Sequence, residues 1–422
     1  MDRISNLSDD LLLKIVSSLP TKNVVATMVL SKRWRFLWTM LPKLHFVHAS
    51  EIEPSEYEKF VRYVDRSMVL NRAPVLETLK FDTCCSSEDM VTWIRIGMVC
   101  GARELEIFYC SGNYDTAIIL PKSLYTYEKL EVLKLTYVDV PDAPTDVFFP
   151  SLKTLHLVYV SYGSTGECYC TLLSGCPVLE ELVLDKTEVS GLPSFSVEMP
   201  NLQRLSILDK RDSDNGQELD YTIVFNAPSL KYVNFVDFYG DLCLSGNMPE
   251  VVEAIVSVAH ESPEKLLECL TSVKRLCLCL VAPMLQHRIV FYHLVHLELC
   301  GGYEGWWDML TWMLESSPKL QVLKLFSCKE HHEAEPIEGH WRGPSSVPEC
   351  LMFRLHTFKW EDYNTEDEEK KIVAYILKNA RELKTAGISV RKKDYSKEKR
   401  AQKLSELVSL PRASSSCQLI LD

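Results

Sequence analysis

A six-residue phrase recurs along this chain, and its spacing restricts the possible folds more than any other feature. The phrase is L-x-x-L-x-L, often preceded by Pro-x. It reads APVLETLKF at 73–81, FPSLKTLHL at 149–157, CPVLEELVL at 176–184, MPNLQRLSI at 199–207, APSLKYVNF at 227–235 and SPKLQVLKL at 317–325. Copies without the proline are ARELEI at 102–107, LEVLKL at 130–135, VKRLCL at 273–278 and LVHLEL at 294–299. PEVVEAIV at 249–256 fits the same register, with Pro249 two residues ahead of Val251. Successive hexads start 26, 28, 22, 27, 23, 28, 21, 22, 21 and 26 residues apart. The last two apolar positions alternate with polar ones, as a half-buried strand requires, and the first leucine turns inward just before the strand. The proline cannot continue a helix and favours an extended approach to the strand. One such unit cannot cover its own apolar stripe, whereas a stack of them makes a continuous core.

The period is that of leucine-rich repeats. The expected body is therefore an α/β solenoid of parallel strands with helical returns in places. WWDMLTWMLESSP, 306–318, reads as one such return, stopped at Ser-Ser-Pro. Strand residues between the leucines are expected on the concave face: Lys80, Asp82, Lys134, His156, Glu181, Asp185, Arg204, Tyr232, Asn234, Arg275, Glu298, Lys324 and Phe326. Their signs are mixed, so a polyanion groove is disfavoured and a protein or peptide surface is the better default. Most of them are solvated side chains on the plainest reading, since few residues of an interface carry its energy. Lys80, Lys134, His156, Glu181, Arg204, Tyr232, Arg275, Glu298, Lys324 and Phe326 are the candidate target contacts.

Ahead of the repeats lies a basic piece on an acidic body. Residues 1–48 carry seven Lys and Arg against three Asp, while the whole chain of 422 residues has a net charge of −12. An acidic partner suits this module, and general nucleic-acid affinity does not suit the whole. Residues 5–42 read as three short helices. Ser8 or Asp9 caps the first, with Leu11, Leu12, Ile15, Val16 and Leu19 at helical spacing. Thr21 caps a second, with Val24, Val25, Met28 and Val29 buried. Ser31 caps a third, with Trp34, Leu37, Trp38 and Leu41 on one face and Pro42 as its stop. Some 40 residues is a size that usually needs outside support. A helix-turn-helix is the alternative, but only Lys32, Arg33 and Arg35 would reach a groove, and the body repels DNA.

RISNLSDDLLLKIVSSLPTKNVVATMVLSKRWRFLWTMLPKL resembles an F-box, with L-x-D-D-L-L, I-x-x-x-L-P and L-S-K-R-W-x-x-L-W in order. The resemblance implies binding to the Skp-type adaptor of a cullin–RING ubiquitin ligase, an acidic protein that suits the basic module. Positions carried over are Leu7, Asp9, Leu11, Ile15, Leu19, Pro20, Val29, Ser31, Arg33, Trp34, Leu37 and Trp38. The family usually has proline where this chain has Ser8. Proline preorganises a first helical turn, but serine is a good cap, so the helix is expected to survive.

After residue 327 the period breaks. Residues 328–349 read as an exposed loop. Cys328, His331, His332 and His340 lie there, but at no standard metal spacing. LHTFKWEDY (355–363), LKTAGISV and CQLIL (417–421) read as strands. A helix bearing Ile372, Val373, Ile376 and Leu377 is expected behind a capping box of Thr365 and Glu368, and another opens at Ser396. Such a segment can cap a solenoid. It is also similar to the FBD domain that follows leucine-rich repeats in many plant F-box proteins. The matching residues include Trp341, Pro344, Val347 to Leu351, Trp360-Glu361-x-Tyr363, Tyr375 to Leu377 and Pro411 to Ser415. The fold expected overall is α/β: an F-box at 1–48, a linker helix leading into the solenoid at 49–72, repeats at 73–327, the loop at 328–349 and an FBD cap at 350–422.

Fifteen cysteines with no C-x-x-C point to buried thiols in a reducing compartment. No signal-type core and no uncharged apolar run of about 18 residues occurs. The expectation is cytoplasm or nucleus, with no membrane partner. No phosphate loop, nucleophile elbow, H-E-x-x-H or cofactor motif is present; Gly301, Gly302 and Gly305 read as a turn. The expected function is a non-catalytic substrate receptor of a ligase, without cofactor or metal, whose target the sequence does not name. The alternative is a repeat scaffold or ligand receptor acting without a ligase.

Overall fold

The computed structural model describes residues 4–48, 54–109, 118, 120–140, 146–162, 167–185, 195–209, 223–237, 248–258, 264–280, 289–301, 306–327, 340–363, 367–390 and 404–421. The chain divides into two compact units, Met1–Leu202 and Gln203–Asp422. Each is built on a parallel ladder.

In the first unit the ladder strands are β1 (Lys43–Val47), β2 (Thr78–Thr83), β3 (Glu104–Tyr109), β4 (Val132–Thr136), β5 (Thr154–Val158) and β6 (Glu181–Asp185), hydrogen-bonded in that order. All five pairings are parallel. The second unit runs β7 (Arg204–Asp209), β8 (Tyr232–Asp237), β9 (Glu253–Val258), β10 (Arg275–Leu280), β11 (His296–Gly301), β12 (Val322–Ser327), β13 (Thr357–Tyr363), β14 (Thr385–Val390) and β15 (Gln418–Leu421), again in order. The degenerate copy at 251 forms β9. The C-terminal segment adds the expected strands to the ladder: β13 pairs with β12, β14 with β13 and β15 with β14.

The hexads place their three apolar positions inward. Leu152, Leu155, Leu157, Leu294, Leu297 and Leu320 have no exposed surface. Each fully buried leucine stabilises by roughly 1.5–3 kcal/mol. The proline does not extend the chain as expected. It sits inside a turn: the carbonyl before it accepts the N–H of the hexad's first residue, as in Phe149 to Leu152, Met199 to Leu202, Ala227 to Leu230 and Ser317 to Leu320, at 3.1–3.4 Å. Proline presets the φ that the second residue of such a turn needs. A second motif joins neighbours. At many strand starts one carbonyl accepts two N–H groups from the next repeat: Arg103 from Glu131 and Val132, Lys274 from Val295 and His296, His356 from Lys384 and Thr385.

The helical module holds α1 (Asp9–Val16), α2 (Thr21–Ala26) and α3 (Trp34–Leu37), the last continued as a 3-10 turn over Trp38–Met40. Two expected caps are absent. Thr21 lies inside α2, fully buried, and its hydroxyl accepts the His45 N–H at 2.8 Å, tying the helix to β1. Ser31 is exposed, and α3 starts three residues later behind Arg33, without a side-chain cap. β1 continues directly from this module. Leu41, Leu44 and Phe46 are the inward positions of a further hexad, all buried. Phe46 stacks on Phe81 at 5.6 Å, and Phe81 on Trp93 at 5.5 Å. Trp93 belongs to α5 (Ser87–Val99), and its indole N–H donates to Asp65 of α4 (Pro54–Leu70) at 2.9 Å. The Asn71 amide donates to the Leu41 carbonyl at 2.9 Å, closing α4 onto the module.

The next helices are α6 (Glu167–Ser174), α7 (Glu264–Cys269), α8 (Trp306–Ser316), α9 (Glu349–Phe353) and α10 (Asp367–Asn379). The expected return helix is α8, and its Trp306, Trp307, Leu310, Met313 and Leu314 are buried. Thr365 and Ser396, expected as caps, lie outside the described residues. Leu407 is buried within a helical turn at 404–408.

Gly175 provides a test of the packing. A Cβ there would lie 2.5 Å from the Val147 carbonyl oxygen, while the Gly175 carbonyl accepts the Phe149 N–H at 2.8 Å. Gly175→Ala is expected to destabilise by about 1–3 kcal/mol, because backbone must shift. At Gly387 a Cβ meets only Lys359 Cγ, at 3.7 Å. Gly387→Ala is expected to be neutral or slightly stabilising. Denaturant titration of the two variants checks the contrast.

Candidate functional site

Two kinds of surface deserve description: the helical module and the open face of the ladders. The module's helices carry apolar residues on two faces. Leu12, Val16, Val24, Trp34, Leu37, Trp38 and Leu41 point inward and are buried. Leu11 and Ile15 are 50% and 55% exposed on α1, Leu19 follows it, and Val29, expected inside, is 89% exposed. Leu30, Phe36, Met40 and Ile4 are exposed as well. Eight of the 22 exposed large apolar side chains among the described residues thus fall within residues 4–40. Scattered exposure is ordinary; a concentration like this marks a surface that another molecule covers.

The polar groups of the module divide in the same way. Ser8 caps α1 as expected, accepting the Leu11 N–H at 3.4 Å. Arg33 is used internally: its guanidinium donates to Asp9 and to the Leu7 carbonyl, each at 2.6 Å, pinning the third helix to the start of the first. Pro20 precedes α2 without a side-chain cap. Lys14, Lys22, Lys32 and Arg35 are exposed. The module thus exposes both apolar and basic side chains.

On the first unit's ladder the register brings His45, Lys80, Glu106, Lys134 and His156 side by side. Signs alternate and pair. Lys80 lies 3.8 Å from Asp82 and 3.4 Å from Glu106; Lys134 lies 2.9 Å from Glu106. His45 contacts Asp82 at 2.7 Å, and His156 contacts Glu181 at 3.1 Å. Burial opposes ionisation of Glu106, but Lys134 and then Lys80 outweigh it and hold its carboxyl below the usual range. Burial dominates at His156 and lowers its pKa despite Glu181.

The second unit differs. Arg204 lies over the Tyr232 ring at 4.1 Å. Beside them in register come Glu253, exposed Arg275 and His296. The central row runs Asn234, Ile255, Cys277, Glu298, Lys324 and Lys359. Lys324 lies 3.3 Å from both Glu298 and Glu361. Desolvation opposes its charge, but Glu298 and Glu361 raise its pKa. Phe326 packs on the buried Cys279 and Cys300. The central row is thus uncharged over Asn234, Ile255 and Cys277 and charged from Glu298 to Lys359.

All ten expected target contacts lie on ladder strands, four in the first unit and six in the second. His45, Glu106, Ile255, Cys277 and Lys359 share these rows without having been singled out. The alternation in Leu44-x-Phe46 and Leu105-x-Ile107 carried the signal for the first two. Of the cysteine and histidines at 328–349, His340 donates from Nδ1 to Glu368 at 2.9 Å, and the same carboxylate also accepts the Trp341 N–H at 3.0 Å. Lys371 first and His340 second pull the Glu368 carboxyl down to about 2. Cys328, His331 and His332 lie outside the described residues. Among the described residues no group of three or more His, Cys, Asp or Glu could hold a metal ion, and no helix is long and apolar enough to cross a membrane.

Comparison with known proteins gives these surfaces a family. Residues 4–46 match the F-box domain, 90–241 the LRR repeats of FBD-associated F-box protein At5g56370, and 343–388 the FBD domain. The putative FBD-associated F-box protein At3g50710 of Arabidopsis thaliana is 63% identical, over 100% of both chains. The chain belongs to the F-box/FBD/LRR-repeat family. F-box/FBD/LRR-repeat protein At5g56420 of the same plant is 42% identical, over 100% of this chain and 99% of its own. FBD-associated F-box protein At5g56370 is 43% identical over 100% of both. The F-box is the helical module together with β1, and the FBD match covers α9, β13, α10 and part of β14.

His156 makes the ladder face of this F-box/FBD/LRR-repeat protein sensitive to pH. Its folded pKa lies below 6.5, so on acidification the unfolded chain takes the proton first. Stability is therefore full above pH 6.5 and falls as pH drops below it toward the folded value. His156→Gln is expected to flatten this part of the profile. Melting temperatures of both proteins between about pH 7 and pH 5 check it.

Proposed function

We propose that the chain is the non-catalytic substrate receptor of a Skp–cullin–F-box ubiquitin ligase, working in cytoplasm or nucleus. The observation that carries this reading is the concentration of exposed apolar side chains within residues 4–40, interspersed along the chain with exposed Lys14, Lys22, Lys32 and Arg35. Such a surface fits an acidic partner with an apolar groove, as a Skp-type adaptor is expected to be. Leu11, Ile15, Leu19 and Val29 are the contact residues on this reading. Leu7, Asp9, Ser31 and Arg33 set or flank the edge, while Pro20, Trp34, Leu37 and Trp38 support the surface from within. The ladder faces hold the target protein. Tethering then raises the target's effective concentration beside the ligase's catalytic partner.

The two roles of the module are separable by mutation. Ile15→Asp with Phe36→Asp puts charge on the exposed surface and is expected to weaken adaptor capture by tenfold or more while leaving the melting temperature within a few degrees. Trp34→Ala hollows the interior and is expected to cost about 3–5 kcal/mol, losing binding through unfolding. Pull-down of the full-length chain with purified adaptor at low salt is the measurement. Absence of capture by the unmodified chain would sink the ligase reading. An N-terminal truncation must stop short of Leu41, because β1 belongs to the ladder.

A further inference from the structure

Three exposed aromatic side chains stand at the ends of consecutive strands in the first unit. Phe108 is near the end of β3, Tyr137 directly follows β4 and Tyr159 directly follows β5; they are 38%, 43% and 36% exposed. The two tyrosine rings stack at 4.6 Å and 20°, and Phe108 meets Tyr137 edge-on at 5.6 Å. They form one continuous aromatic surface across three repeats.

The backbone beneath the tyrosines is unusual. Tyr137 has φ 57° and Tyr159 has φ 51°, the left-handed region. Bulky residues rarely adopt it. The turn itself has a structural use. It directs the next residues, Val138 and Val160, into the core, both essentially fully buried. The tyrosine N–H groups still donate to the next strand, to the Val158 carbonyl at 2.9 Å and the Asp185 carbonyl at 2.8 Å. The same turn occurs in the second unit after Trp360-Glu361, where Asp362 has φ 58° and the following Tyr363 is buried. Aspartate tolerates this backbone far better than tyrosine. The turn accounts for the backbone conformation, and the two rings above it stand exposed.

The surroundings favour a cation. Residues 49–202 contain 12 Lys and Arg against 23 Asp and Glu. Lys80 and Lys134 nearby are paired with Asp82 and Glu106. Asp185 stands in register with Val158, the residue before Tyr159, and Glu181 on the same strand is shared with His156 at 3.1 Å. Aromatic faces attract cations, and a planar guanidinium stacks on them while offering hydrogen bonds to carboxylates. We propose that Phe108, Tyr137 and Tyr159 form a docking platform for an arginine-bearing segment of the protein held by the repeats. This rests on the reading of the repeats as the target-binding part, and it names the chemistry of the target.

Panning a random peptide library displayed on phage against the full-length chain tests it. Selected peptides are expected to share an arginine. Resynthesis with citrulline in its place, which keeps shape and removes charge, is expected to weaken binding about tenfold. Tyr137→Asn with Tyr159→Asn removes the rings but suits the left-handed backbone, so it is expected to lose the peptides equally while melting no lower than the parent. The platform is refuted by selected peptides without arginine, by indifference to the asparagine pair, or by no selection on the parent chain. Adaptor capture by the same preparations is measured in parallel. Its loss on the parent chain would count against the ligase reading, and its retention leaves any failure to the platform alone.

Discussion

Everything in the two units depends on one repeated constraint: a repeat can place its three inward side chains only if its neighbour supplies the carbonyl that starts its strand. At most joins two successive N–H groups of the new strand converge on one oxygen at the start of the strand before, as Lys153 and Thr154 do on Glu131 and Gln321 and Val322 on Val295. Buried backbone groups must be satisfied, so this sharing fixes where each strand begins. The leucines then fall into line without further instruction, Leu133 beside Leu155 beside Leu182. The same geometry includes segments of quite different sequence. β1 enters through the Pro42 carbonyl, which accepts from Glu77 and Thr78, and β15 enters through the Lys384 carbonyl, which accepts from Gln418. The F-box and FBD segments are thus continuous with the strands of their own units.

The period and alternation made most of this legible in the chain. A leucine hexad every two dozen residues leaves few alternatives to a parallel stack. The limits were physical. Leu41-x-x-Leu44-x-Phe46 obeys the same pattern, but its return to the next hexad passes through α4 and is longer than the 21–28 residues between the hexads from 76 to 320, so spacing hid it. In the helical module, a 3.6-residue period identifies apolar faces but cannot say which one the fold covers when a helix has two. Leu12 and Leu11 look equivalent in sequence; one is fully buried and the other half exposed. Thr21 is a good cap by type, yet the backbone of β1 offered its hydroxyl a buried donor instead. Local capping preference loses to a tertiary hydrogen bond when the alternative is an unsatisfied buried N–H.

The ladder faces show why a list of charges misleads. Read along the chain, Lys80, Glu106, Lys134 and Glu181 are a mixture without a pattern. Register turns the mixture into order, because neighbouring strands lie only about 4.8 Å apart and like charges side by side would repel. Much of the charge is spent inside the face: Glu106 alone answers two lysines. What the first unit has left to offer a partner is less its paired charges than the groups between and beyond them. The second unit reaches a different balance, with Ile255, Cys277 and Phe326 where the first has ions.

The helical module can now be placed energetically. A piece of about 40 residues rarely buries enough surface to be stable alone. Here the support comes from the same chain. The stacked rings of Phe46, Phe81 and Trp93, the Thr21 hydroxyl on β1 and the Asn71 amide on Leu41 join the module to the first repeats. With its inner face held by the ladder, Leu11, Ile15, Val29 and Phe36 are not needed for folding. Their exposure costs solubility, and the exposed lysines and arginine around them offset that cost. An apolar face that the fold neither uses nor hides is best explained by a partner that does.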